Sequence, residues 1–116
     1  MLIRASSGSG GGGGNVKTGT FLADGGNSHT FDCGITDPDL VLIFDSRQSS
    51  LNGNWITFYN TATLFSGYSG CTNAKVIGSG SAADQNCVSV SGSNVTANTY
   101  FGPSGTTTYW LAYKSS

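Results

Sequence analysis

Charged residues are scarce in this chain of 116 residues. Five Lys and Arg and six Asp and Glu make up 9% of the sequence, against about 25% in an ordinary soluble domain. The formal net charge is −1, so the chain lacks the basic surface that nucleic acid or an anionic membrane requires. We therefore expect neither as a partner. Ser, Thr, Asn and 18 glycines fill the polar positions, and such a neutral surface protects poorly against association.

Side chains suited to catalysis are few. The single histidine, His29, is followed by Asp32, but serine is so frequent that a Ser-His-Asp set carries little information, and we expect a half-exposed strand residue. Asp37 and Asp39 flank Pro38. They lack the further nearby oxygen ligands of a calcium loop, so an aspartate-capped turn is favoured. We expect no catalytic residues, no enzyme activity and no cofactor.

Three cysteines, Cys33, Cys71 and Cys87, are an odd number, so at most one intramolecular disulfide can form. Cys71 and Cys87 would close a loop of about 15 residues and stabilise the domain by about 3 kcal/mol. Three buried, reduced thiols are the favoured alternative. The spacing is not that of a zinc site, so no bound metal is expected.

The first 14 residues differ in composition from the rest. A short apolar start is followed by a Ser- and Gly-rich tract that ends in Gly10 to Gly14, which is typical of a linker. One alternative is a floppy tail. The other is an extended arm, in which Leu2, Ile3 and Arg4 anchor the chain to a neighbouring subunit. No long apolar run follows Met1, so we expect neither a signal peptide nor a membrane anchor. The expected product is made in the cytoplasm.

Residues 15–116 have the pattern of one all-β domain. Short β-rich runs alternate with Gly, Asn, Asp and Ser clusters, which predicts a single antiparallel β-sandwich of about eight strands, of jelly-roll or related type. The first two runs, 16–22 and 29–33, are predicted to pair as a hairpin. Leu40 to Phe44 is apolar on both faces, which predicts a central strand covered on both sides. The turn Asn52-Gly53 predicts a second hairpin that leads into 55–59. Further strands are predicted at 74–77, 87–90, 94–100 and 106–113.

Aromatic side chains are the one enriched material for recognition. The core has room for about half of them, and alternation directs the others outward. The candidates for a subunit interface or a glycan contact are Trp55, Tyr59, Tyr68, Tyr109 and Trp110. Tyr109 and Trp110 are adjacent in the last strand, so one should be core and the other outward.

Four segments carry a resemblance to a known group of proteins. They are Val16-Lys17-Thr18-Gly19-Thr20-Phe21, Ser28-His29-Thr30-Phe31-Asp32-Cys33-Gly34, Pro38-Asp39-Leu40-Val41-Leu42-Ile43 and Tyr109-Trp110-Leu111-Ala112-Tyr113. Together they resemble small β-sandwich domains of bacteriophage structural proteins, over about residues 15 to 116. The sequence departs from that pattern at 34–38, where a lengthened turn replaces Gly-Phe-x-Pro.

The resemblance implies an accessory part of a virion, either a tail-fibre or tail-tip module or a head-fibre or capsid-decoration protein. These phage domains are also similar to the trimer-forming H-type lectin sandwich. The expected function is a non-enzymatic structural protein that docks on other virion proteins of the capsid or tail and forms a homo-oligomer, with a trimer as one form. The alternative is an adhesion module of the tail tip that binds a receptor or a host surface glycan.

Overall fold

The computed structural model describes residues 15–45, 55–61, 63, 70–77 and 82–115. The predicted anchor residues Leu2, Ile3 and Arg4, like Tyr68, lie outside these ranges. Nine strands form within them: β1 (Asn15–Leu22), β2 (His29–Asp32), β3 (Leu40–Asp45), β4 (Trp55–Asn60), β5 (Asn73–Ile77), β6 (Ala82–Gln85), β7 (Val88–Ser91), β8 (Asn94–Ala97) and β9 (Thr107–Lys114).

The strands form two antiparallel sheets packed against each other. The large sheet has the order β1-β9-β3-β4-β5-β6, and the small sheet has the order β2-β8-β7. The predicted all-β sandwich is confirmed. The first and last described strands, β1 and β9, are neighbours in the large sheet, where Gly19 lies opposite Trp110 and Ile43 lies on the other side of Trp110.

The predicted hairpin of the first two strands is wrong. Ala23 is tied to the beginning of β9, since its N–H donates to the Thr106 carbonyl and its own carbonyl accepts from the Gly105 N–H, both at 2.8 Å. β1 therefore stays beside β9, and the next turn carries the chain across to the small sheet, where β2 pairs with β8. β6 was not predicted. The Asn52-Gly53 turn lies outside the described residues, but β3 and β4 pair as antiparallel neighbours, as predicted.

The core lies between the sheets and is rich in aromatic rings. The Phe31 ring stacks on Trp110, with the ring centroids 5.0 Å apart, and on Phe21 at 5.3 Å. Trp110 fits there because Gly19 has no side chain: a Cβ at that position would be 2.5 Å from Cζ2 of Trp110. Val41 and Ile43 of β3 are almost completely buried beneath the small sheet, which stabilises the fold by about 1.5–3 kcal/mol for each side chain.

Lys75 and Asp39 are charged side chains that are buried within the fold and hold loops to the large sheet. Lys75 of β5 donates its ammonium to the Tyr100 carbonyl and lies 4.6 Å from the Trp55 ring centroid. Asp39, just before β3, accepts hydrogen bonds from the Ser115 N–H and hydroxyl at 2.9 and 2.7 Å. These contacts satisfy groups whose burial would otherwise be costly.

Candidate functional site

The side of the large sheet that points away from the small sheet is the most unusual surface of the described chain. We call it the outer face. Because directly opposite residues in antiparallel strands point the same way, the strand register defines its members. They are Val16, Thr18, Thr20 and Leu22 of β1, Thr107, Tyr109, Leu111 and Tyr113 of β9, Leu40, Leu42 and Phe44 of β3, Ile56, Phe58 and Asn60 of β4, and Ala74 and Val76 of β5.

No residue of the outer face carries a charge. The charged residues of the large-sheet strands all lie on the opposite side by the same register: Lys17, Asp45, Lys75, Asp84 and Lys114. The normal arrangement of a soluble sheet places polar and charged residues on its solvated side. Here the side that no other described strand covers is the apolar one.

Most apolar side chains of the outer face are partly or largely exposed, although Ala74 is buried. Leu22 is 67% exposed, Tyr109 51% and Ile56 41%, while Leu40, Leu42 and Phe44 of β3 are half-buried. The prediction that β3 is covered on both faces therefore holds only in part: Val41 and Ile43 are buried, whereas the alternate set remains partly exposed. Apolar patches of more than a few hundred Å² on soluble domains mark sites of interaction.

A shallow depression of about 400 Å³ lies at one side of the outer face. It forms where the short side chains of Thr18 and Thr20 leave room beside the rings of Tyr109 and Phe44. Gly19, Trp110 and Leu111 complete the lining. The depression offers aromatic and aliphatic surface with two hydroxyls at its edge, and it could accept an apolar side chain or a sugar ring.

The aromatic candidates fall on both sides of the large sheet. The outward candidate is Tyr109, whereas Trp110 is 8% exposed and belongs to the core; the prediction that these two residues divide between core and surface is confirmed. The prediction of Trp110 as an interface or glycan-contact residue is therefore wrong, because its side chain is buried in the core. Trp55 and Tyr59 share the inward side with the buried Thr57. Tyr59 packs on the core, and burial, with the charges of Asp37 and Asp39, raises its pKa.

His29, the residue considered for catalysis, is packed into the fold. His29 is 7% exposed, which corrects the expected half-exposed position. Its Nε2 lies 3.1 Å from Oδ1 of Asp24, and its ring packs against Phe21 and Phe101. A hydrogen bond from the Gly26 N–H, together with His29, lowers the pKa of Asp24, although desolvation acts in the opposite direction.

The Asp37-Pro38-Asp39 segment is a bend that leads into β3. Asp37 has a φ of 51°, a conformation that Asp tolerates better than most residues. Asp39 accepts from the Thr61 hydroxyl as well as from Ser115, so its oxygens are used to close the fold. In the described residues, no group of three or more His, Cys, Asp or Glu side chains could hold a metal ion.

The cysteines are thiols, and no bridge joins Cys71 and Cys87. Cys33 and Cys87 are buried, whereas Cys71 is exposed and donates its S–H to the Asn73 carbonyl at 3.1 Å. Burial and the nearby charge of Asp84 raise the pKa of the Cys87 thiol, which favours its protonated form. The structure thus corresponds to the reduced alternative, except that one of the three thiols is exposed.

Sequence reasoning missed most of the outer face, including Ile56 and Leu111, because it looked for outward aromatics one at a time. The available signal was the absence of charge from every alternate position of five strands.

Nowhere in the described part of the chain is there a helix with the length and apolar character needed to span a membrane. No family model, curated protein or solved structure matches the chain.

Proposed function

We propose that this chain is a non-enzymatic structural protein of a bacteriophage virion, an accessory β-sandwich that docks on the capsid or tail and self-associates. The observation that carries the proposal is the charge-free, partly exposed outer face, a surface suited to burial against protein. The resemblance of the strand and turn segments to phage structural domains supports the virion as the setting. Docking on other virion proteins is assigned to the arm, with Leu2, Ile3 and Arg4 as its anchor.

The test is attachment to particles. Particles that lack the protein, prepared from the phage that encodes it, are incubated with purified full chain and sedimented through a density gradient. We expect saturable binding in a fixed ratio to the major capsid or tail protein. A double variant, Leu2→Ser with Ile3→Ser, should bind at least about tenfold more weakly, because the anchor loses its apolar side chains.

The matched control changes two polar residues of the same arm, Ser6→Ala with Ser7→Ala, and should bind as the wild-type chain does. Circular dichroism checks that each variant is folded. Absence of the chain from purified wild-type particles, or no binding to the particles that lack it, would contradict the virion role. Equal binding by the anchor variant and its control would contradict the role of the arm.

A second candidate is the glycan-binding adhesion module, which the depression beside Tyr109 favours. Aromatic rings next to hydroxyls are the surface on which a sugar ring packs its apolar side. The test is a glycan array probed with wild-type chain and with Tyr109→Ala. A reproducible signal that Tyr109→Ala abolishes would support this candidate, and a blank array would exclude the glycans tested.

A further inference from the structure

We infer that the outer face is the contact surface of a homodimer, in which two copies pack their large sheets face to face around a two-fold axis. The occupant of the outer face is thus a second copy of this chain. The inference rests on the self-association in the proposed function and names its surface and its partner. Three properties of the outer face support a second copy.

The first property is electrostatic. In a two-fold contact the same patch lies on both sides, so any charge on it faces equivalent charges and must be paired or moved aside. The outer face has none to pair, because all charged residues of these strands point to the other side. It can therefore meet its own copy without like-charge repulsion and without burying an ionised group.

The second property is area. Five strands, each about 4.8 Å wide and about six residues long, give a face of about 24 by 20 Å, or about 500 Å² in projection. Two such faces enclose about 1,000 Å², which reaches the size of a specific interface, and side-chain relief adds to it. The apolar side chains of the arm are Met1, Leu2, Ile3 and Ala5, followed by Ser and Gly, too few to cover such a surface.

The third property is the shape of the surface. An axis along the strands between β3 and β4, the middle of the sheet, brings β9 of one copy opposite β5 of the other and β3 opposite β4. The depression beside Tyr109 then meets the half of the second copy's sheet from which Ile56 projects. A projecting aliphatic side chain and an apolar depression are thus placed on opposing halves, as close packing between two sheets requires.

Sedimentation equilibrium of the purified full chain, from about 1 μM to about 1 mM, tests the dimer across the range of weak to moderate affinities. We expect a reversible species of twice the chain mass. Ile56→Lys should raise the dissociation constant at least tenfold, because the ammonium would be buried against a copy of itself. Since Ile56 is exposed, this variant is expected to fold, which circular dichroism checks; Leu42→Lys at the centre of the face repeats the test.

The matched control is Ser89→Lys, at an exposed position of β7 in the small sheet, and it should leave the dissociation constant unchanged. A wild-type chain that is monomeric throughout the range, a dimer that Ile56→Lys leaves intact, or an equal loss in Ser89→Lys would each overturn the inference. Loss of the dimer on Leu2→Ser with Ile3→Ser, with Ile56→Lys unchanged, would assign the contact to the arm and overturn it as well.

The dimer and the virion role fail separately. A dimer that binds no particle contradicts the virion role alone, since its measurement uses the purified chain without particles. A monomer that binds particles contradicts the dimer alone.

Discussion

Tyr109 and Trp110 are neighbours in β9 with opposite surroundings. Trp110 stacks on Phe31 and covers Gly19, whereas Tyr109 borders the depression on the outer face. We expect Trp110→Ala to lower the free energy of unfolding by about 3–5 kcal/mol, because it leaves a large cavity. Tyr109→Ala should lower it by less than about 1 kcal/mol. Urea denaturation at low protein concentration, where association does not contribute, distinguishes these effects; similar losses in both variants would contradict the assignment of faces.

Asp39 is the residue through which pH should act on stability. Burial by itself would raise its pKa, but hydrogen bonds from the Ser115 N–H and hydroxyl, the nearby charge of Lys114 and the Thr61 hydroxyl together lower it below the ordinary 3.8. A lowered pKa in the folded chain means that the ionised form stabilises the fold at pH values above the unfolded pKa. That contribution is lost as the pH falls below about 4 towards the folded pKa.

We therefore expect Asp39→Asn to reduce the free energy of unfolding at pH 7 by about 1–3 kcal/mol, since charge-assisted hydrogen bonds become neutral ones. The difference from the wild-type chain should shrink as the pH falls from 5 to about 3. Asp37→Asn is the control, because its side chain lies at the surface and Asn also tolerates the positive φ of this position. A difference that is independent of pH would show that Asp39 acts through packing rather than charge.

At the scale of the element, β3 shows how one strand serves two surfaces. Its residues alternate between the core beneath the small sheet and the outer face. The sequence, apolar on both faces of the strand, predicts that truncation costs the same free energy of unfolding at any position. The structure instead predicts different costs for the inward and the outward residues. Ile43→Ala should cost about 2–5 kcal/mol in the isolated chain through a buried cavity. Leu42→Ala, at a half-buried position, should cost about 1 kcal/mol and chiefly weaken association.

Thermal denaturation at low concentration and sedimentation equilibrium together measure the two effects in β3. Equal destabilisation of the isolated chain by both substitutions would mean that the outer set is already covered within one copy.

At the scale of the whole molecule, both sheets depend on pairing between strands that are far apart in the sequence. β9, the last strand, lies between β1 and β3 and provides the only described link between them in the large sheet. The small sheet likewise needs β8 to join β2 to β7. Pairings of such large sequence separation have a high loop-closure cost. The stability of the sandwich therefore depends on residues near the end of the chain, including Ser115, which bonds to Asp39.

The distribution of charge is also a property of the whole molecule. The large sheet directs its charged residues inward or to its rim, where Lys75 meets the Tyr100 carbonyl and Lys114 meets the Asp37 carbonyl. This arrangement satisfies the charges within one copy and leaves the opposite side uncharged. The outer face therefore has the low charge that is typical of the centre of a protein interface.

The sequence by itself determined the class of fold, most of the strands and which residues of a strand share a face. Alternation with a period of two follows from strand geometry, and the Gly, Asn and Asp clusters follow from turn conformations; both are local. These local rules placed Tyr109 and Trp110 on opposite faces of the last strand.

The tertiary structure alone decided which face is inward and which strands pair. In β3 and β4 both sets of alternating residues are apolar, so their patterns contain no preference for one side. The choice came from the position of the small sheet, which covers Val41 and Ile43 and leaves Leu42 half-buried. The pairing of β1 with β9 rather than with β2 depends on the hydrogen bonds of Ala23 to residues more than 80 positions away, and contacts over such distances leave no periodic signal in the sequence.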